Sequence, residues 1–220
     1  MAAQDLVAGV PVRAGDGSRR RAAFLDRDGV INVDHGYAWR IEEFDFIAGA
    51  LEAAATLARA GYALVVVTNQ AGIGRGMYTE ADFAHTSAWM RERFAAAGAP
   101  LDAVYHCPHH PTLALDAWRI RCECRKPAPG MLLAAAKALD LDLAGSVIFG
   151  DRCDDLRAGA AAGLRLRVLL GKDGLALPTL ECGDAEGGSG EPLASARHIS
   201  LAHALSDPAL RHQLGLDTLE

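Results

Sequence analysis

The sequence has no apolar run approaching the roughly 20 residues that a membrane-spanning helix needs. It also has no basic surplus: 22 Lys and Arg stand against 28 Asp and Glu, a formal net charge of -6. The first absence points to a soluble chain. The second argues against a nucleic-acid or anionic-membrane surface, because both need clustered cations to meet phosphates. A small molecule is the expected partner. The opening "MAAQDLVAGVPVRAGDGSRRR" lacks the basic start and long apolar middle of a secretory signal, so a cytoplasmic chain is expected. Five cysteines without such a signal argue against a disulfide framework. No internal repeat is visible, and no heptad or unpaired apolar stripe demands a second copy, so a monomer is expected.

What is present is length enough for one core. The 220 residues are half hydrophobic, which suits a single domain over 21–220 after a loose tail at 1–20. Short β-rich runs alternate with alanine- and leucine-rich stretches of helical period. That alternation predicts an α/β fold, a doubly wound parallel sheet with helices on both faces. The strand candidates are "AAFLD" from Ala22, "ALVVVT" from Ala63, "DAVYH" from Asp102, "SVIFGD" from Ser146 and "RLRVLL" from Arg165. "ALVVVT" and "SVIFGD" lack polar alternation, as buried parallel strands do. Helices are expected near 49–59, 79–97, 129–139, 154–162 and 200–214. Thr79 is a natural N-cap, with Asp82 in the first turn. Two segments break the rhythm, "INVDHGYAWRIEEFDF" and "CPHHPTLALDAWRIRCECRKPAPG". They fall where loops at the carboxyl ends of strands form ligand sites. Near the end, "ECGDAEGGSGEP" reads as a surface loop.

The strand ends carry the chemistry. Asp26 and Asp28 follow the first strand, Thr68 and Asn69 the second, Lys126 the long insertion and Asp151 the "SVIFG" strand. In a parallel sheet all of these gather at one edge. Taken singly, Asp before Gly is a turn and Lys is a solvated cation. Taken in this order, they are a constellation. Three converging acids take up protons unless a hard cation such as Mg²⁺ sits among them, held by Asp26, Asp151 and the backbone carbonyl of Asp28. Thr68, the following amides and Lys126 can supply donors to phosphate oxygens. One acid of the pair can then attack phosphorus while the other protonates the leaving oxygen. Asp155 either supports Lys126 or the metal shell, or caps the next helix. Asp154 reads as that cap.

The cysteines offer a second metal site. Cys107, His109, Cys122 and Cys124 form C-x-H-x12-C-x-C within a zinc loop at 106–125, four soft or borderline ligands with no open position, as in structural Zn²⁺ sites. Spacing alone does not separate His109 from His110 or His106. Cys153 reads as a small packing residue and Cys182 as a surface-loop thiol.

Four stations in order, "FLDRDGV", "VVVTNQAG", "CRKPAPG" and "FGDRCDD", resemble the haloacid-dehalogenase-like (HAD) hydrolases. The resemblance implies a HAD-like Rossmannoid phosphatase with Asp26 as nucleophile, Asp28 as general acid and base, and Thr68 and Lys126 stabilising the phosphoryl group. Across 22–172 the chain is most similar to the branch that removes the 7-phosphate of D-glycero-D-manno-heptose 1,7-bisphosphate. "DHGY" and "GIGRG" favour it over the histidinol-phosphate branch, which shares the acids and the zinc loop. That likeness selects His109 as the zinc ligand. It implies substrate contacts at Asp34, His35, Gly36, Tyr37, Asn69, Gln70, Ala71, Arg125 and Arg152. Ala71 contributes its backbone alone, and Arg152 stands where the family often has lysine. No stretch is long enough for a large cap domain, so "VDHGY" and the zinc loop must wall the site. A non-catalytic phosphate-binding module is the alternative of a different class, which the intact acids and lysine oppose.

Overall fold

Strand β2 (Ala63–Asn69) shows why this sheet is covered on both faces. Its Leu64 and Val66 pack into one core, while Ala63, Val65 and Val67 pack into the other. The same alternation divides β1 (Arg20–Leu25), with Ala23 and Leu25 on one side and Ala22 and Phe24 on the opposite side. Such strands have no polar face to give to water, so helices must cover both.

The computed structural model describes residues 18–177, 182 and 193–217. Among them, β1 and β2 join β3 (Ala103–Cys107), β4 (Leu141–Gly150), β5 (Leu166–Leu170) and β6 (Ala196–His198) in one sheet of order β3-β2-β1-β4-β5-β6. Every neighbouring pair is parallel. Helices α1 (Ala50–Arg59), α3 (Glu80–Ala96), α6 (Leu201–Ala204) and α7 (Pro208–Leu214) cover one face, and α4 (Gly130–Leu139) and α5 (Cys153–Ala161) cover the other. A short α2 (Ala71–Gly74) follows β2. Thr79 caps α3 as expected: its hydroxyl accepts from the Asp82 amide, and Asp82 returns the bond. The chain leaves β1 toward β3 on one side and resumes at β4 on the other. The crevice between β1 and β4 is therefore the topological switch point, where ligands of open α/β sheets bind.

Four expectations change. Arg20, placed in the tail, already pairs with Leu141 in the sheet; residues 1–17 lie outside the described residues. Strand β4 begins at Leu141 rather than Ser146 because its first residues extend alongside β1. The single last helix is two, separated where Asp207 caps a new start at Pro208. The sixth strand was not expected: with three residues its signal is too short to read, and pairing with β5 defines it. The surface loop expected at 181–192 lies outside the described residues except for Cys182. Among the described residues no inserted domain covers the strand ends, and no helix is long and apolar enough to cross a membrane.

Candidate active site

The first residue after β1 is Asp26, and the first after β4 is Asp151. The Asp26 amide donates to Phe149 O at 3.0 Å, which stitches the two strand ends together. Gly29 lets them approach: its φ is +85°, and a Cβ there would lie 2.5 Å from Asp151 Oδ2. Lys126 arrives from the long insertion. A reciprocal pair fixes it, with its amide donating to Asn69 Oδ1 and Asn69 Nδ2 donating to its carbonyl, both at 3.1 Å.

The Lys126 ammonium is buried and saturated. It reaches Asp26 Oδ1 at 2.9 Å, Asp155 Oδ1 at 2.5 Å and the Val67 carbonyl at 2.7 Å. Burial alone would drive such a lysine toward neutrality. Asp155 and Asp26 outweigh it and hold the proton more tightly than on an ordinary lysine. The acids show the opposite balance. Burial pushes Asp26 up to about 7 despite the pull of Lys126, with Asp155 adding to the rise. Burial, then the charges of Asp26 and Asp155, pushes Asp151 up to about 8.

Three acids facing one ammonium leave negative charge uncompensated. Oxygens of Asp26, Asp151 and Asp155 lie within 4.8 Å of one another, and Asp151 Oδ1 is buried without a hydrogen-bond partner. That donor set fits a hard divalent cation that prefers oxygen. The Asp28 carboxylate stands outside this group. It accepts from Gln70 Nε2 at 2.9 Å, and Gln70 also donates to Thr68 Oγ1 at 2.8 Å. Asp155 performs both of the roles left open for it: Oδ1 binds Lys126, and Oδ2 accepts from the Arg152 amide at 3.1 Å at the start of α5. Asp154, expected as the cap, instead meets Arg157 at 3.3 Å on the surface, because only the third residue of the helix can reach back to the Arg152 amide.

An open cleft of about 300 Å³ lies above these groups, lined among others by Asp28, Asp34, Gly36, Tyr37, Thr68, Asn69, Gln70, Ala71, Arg125, Lys126 and Arg152. Arg152 binds Asp34 Oδ2 at 3.0 Å, and Lys172 approaches the same oxygen at 3.8 Å. Arg125 donates to His109 O at 3.1 Å, tying the cleft to the cysteine loop. His35 departs from expectation: it turns outward to Asp45 Oδ2 at 2.9 Å and faces a neighbouring groove instead of this cleft.

Cys107, His109, Cys122 and Cys124 converge. The three sulfurs and His109 Nδ1 are 3.2–3.6 Å apart along five of the six edges they form. Thiolates held at about 2.3 Å by a tetrahedral zinc are about 3.8 Å apart, so the cage needs only slight expansion. Contact with Cys107, ahead of the other cluster members, holds the Cys124 thiol down to about 5 despite burial. His110 faces the cleft and accepts from the Thr112 and Leu113 amides through Nδ1, which leaves His109 as the cluster's imidazole.

Residues 123–177 match the family model described as HAD-hydrolase-like. Over 149 residues the chain is 50% identical to the D-glycero-beta-D-manno-heptose-1,7-bisphosphate 7-phosphatase of Salmonella typhi, covering 68% of this chain and 79% of that protein. The chain belongs to the D-glycero-manno-heptose-1,7-bisphosphate 7-phosphatase family. Its member from Burkholderia mallei, named for the alpha anomer, is 49% identical over 152 residues, 69% of this chain and 80% of that protein. The solved D,D-heptose 1,7-bisphosphate phosphatase of B. bronchiseptica, complexed with magnesium and phosphate, superposes with a TM-score of 0.65 at 35% identity, covering 80% of this chain and 94% of that one.

Within this family fold, several groups at the site escaped sequence reasoning. Arg75 lines the cleft and donates to the Tyr37 hydroxyl, and Tyr78 donates to Gln70 Oε1. Arg75 lies in "GIGRG", so its segment was singled out without its side chain. Asp173 holds the Asp34 amide at 2.7 Å from far along the chain, where no local signal exists. The cysteine reading needs one correction. Cys153 and Cys182 form a disulfide, because the chain beyond β5 returns to the first residue of α5.

Proposed function

We propose that this chain removes the phosphate at C7 of D-glycero-D-manno-heptose 1,7-bisphosphate through a magnesium-dependent aspartyl phosphate, leaving heptose 1-phosphate for nucleotide activation. The chain is a phosphoric monoester hydrolase by this reading. The observation that carries it is the meeting of Asp26, Lys126 and Asp151 under a cation-rimmed cleft in a chain that is, over 149 residues, half identical to a phosphatase of that name.

Asp26 is positioned as the nucleophile. Both the Arg27 amide, at 2.8 Å, and Lys126 bind its Oδ1, which leaves Oδ2 to attack phosphorus. The bond between phosphorus and O7 breaks, and O7 keeps the electron pair and takes the proton of Asp28. Asp28 then accepts a proton from water, whose oxygen attacks the aspartyl phosphate and restores Asp26. Lys126 and Thr68 stabilise the phosphoryl oxygens. Magnesium, held by Asp26, Asp151 and the Asp28 carbonyl, supplies the charge that lets acids and phosphate share the site. The non-reacting phosphate meets Arg125 or Arg152, suited by their forked donors, and Asp34 meets sugar hydroxyls. Cys107, His109, Cys122 and Cys124 would hold a structural zinc, which would steady Arg125 through its bond to the His109 carbonyl. The enzyme works as a monomer in the cytoplasm.

The test is phosphate release with magnesium from both heptose 1,7-bisphosphate anomers, beside histidinol phosphate and a sugar monophosphate. Strong preference for a heptose anomer is expected. Relatives named for either anomer are equally similar, at 50% and 49% identity, so the assay also assigns the anomer. Preference for histidinol phosphate would overturn the substrate and the roles of the "VDHGY" segment and the arginines.

A further inference from the structure

Between the two acids of "DRD" lies Arg27, whose side chain is 1% exposed. A buried guanidinium is unusual, and this one is incompletely satisfied: its Nη1 has no hydrogen-bond partner. It lies 5.8 Å from the Phe44 ring centroid and 5.7 Å from that of Phe83. An apolar side chain would fill that slot without leaving a polar atom unpaired. What it could not do is hold Asp28.

Arg27 forks onto that carboxylate. Nε donates to Oδ1 at 3.1 Å, and Nη2 reaches Oδ1 at 2.9 Å and Oδ2 at 3.0 Å. Asn32 Nδ2 adds a third donor to Oδ1 at 3.0 Å. Oδ1 is thereby used up. Oδ2, with two donors from Arg27 and Gln70 against three on Oδ1, is the less encumbered oxygen for carrying a proton toward the leaving group. Two further bonds make Arg27 a junction. Its amide binds Asp26 Oδ1 at 2.8 Å, and Nη2 donates to the Ala38 carbonyl at 2.8 Å, directly after the 34–37 segment that walls the cleft.

We propose that Arg27 is a positioning residue for the reaction: it fixes the rotamer of Asp28 and ties that acid to the cleft wall through Ala38. The inference rests on Asp28 being the general acid, so its test must separate the two ideas. A proton donor matters most when the leaving group is a poor one, as a sugar alkoxide is. It matters little for a nitrophenolate, which departs without a proton. A residue needed only for folding would depress both reactions alike.

The experiment measures single-turnover leaving-group release with magnesium, using heptose 1,7-bisphosphate and p-nitrophenyl phosphate, for wild type, Arg27→Met, Arg27→Lys and Asp28→Asn. For Arg27→Met, a loss of about 100-fold on the sugar phosphate is expected, the scale of a displaced catalytic group, and less than about 5-fold on the aryl phosphate. The loss falls on kcat rather than KM. Arg27→Lys should be intermediate, since one ammonium cannot span both oxygens. Should Arg27→Met fail to fold by thermal melting, the Arg27→Lys split decides. Equal losses on both substrates, or none, would overturn the positioning role provided Asp28→Asn shows the split. If Asp28→Asn shows none, the general-acid reading itself falls.

Discussion

Two ligand clusters sit on the same edge of the sheet and are built in opposite ways. The cysteine cluster is local: Cys107 ends β3, and His109, Cys122 and Cys124 come from the loop that follows, with soft donors closed on themselves. The acid cluster is global: Asp26, Asp151 and Asp155 come from two strand ends and a helix, and Lys126 from a fourth element joins them. The local cluster can hold its shape through one ion and serve as a brace. The global cluster depends on the whole sheet, stores unfavourable charge, and leaves room for substrate. A closed sulfur shell stabilises, whereas an open oxygen shell reacts.

The sharpest way to break this comparison is to remove one ligand from each side. Asp26→Asn should abolish turnover, by at least about 10⁴-fold as for other lost nucleophiles, while the far-ultraviolet circular dichroism stays unchanged. Unaltered phosphate release by that variant would eliminate the mechanism. Cys124→Ser should act through structure instead. Elemental analysis should show zinc lost, the melting temperature should fall, and activity should drop because Arg125 loses its anchor at His109. Full retention of the melting temperature would remove the brace from the account.

A pH series sharpens the electrostatic half. Asp26 and Asp151 are raised to about 7 and about 8 in the folded chain from an ordinary 3.8. Between those values the folded state holds more protons than the unfolded state, so stability must fall as pH rises. Metal-free protein should therefore melt at progressively lower temperature from about pH 4 to pH 8, where most of the effect is spent. Magnesium should raise the melting temperature more at pH 8 than at pH 6, because at pH 6 it competes with bound protons. A metal-free melting temperature that climbs over this range would contradict the raised acids.

The smallest effect compares two neighbours. Asp154→Ala removes a half-exposed pair with Arg157 and should cost less than about 0.5 kcal/mol in chemical denaturation. Asp155→Ala removes one of the two carboxylates that pair with the buried Lys126 and should cost about 3 kcal/mol or more. Equal costs would show that the buried pair is not what distinguishes these adjacent acids.

Much of this architecture was legible because its signals are local. Apolar runs without alternation mark β2 and β4, Thr79 with Asp82 marks the start of α3, and close spacing brings Cys107, Cys122 and Cys124 together. The missed features are contacts between distant segments. Three residues of β6 become a strand only beside β5. Cys153 meets Cys182 only because the chain folds back. His35 was grouped with its neighbours in "DHGY", yet a hydrogen bond to Asp45 turns it away from the cleft.

The sequence by itself determined the parallel α/β fold, the order of the acids, threonine and lysine along the strand ends, and the three thiols of the cysteine cluster. Periodicity and short spacing suffice for these, since each is fixed by residues close in the chain. Only the tertiary structure decided that Asp155 both anchors Lys126 and caps α5, that burial raises Asp26 and Asp151, and that Arg27 grips Asp28. Those outcomes depend on desolvation and on distances between groups far apart in sequence, quantities that exist only once the chain has closed around them.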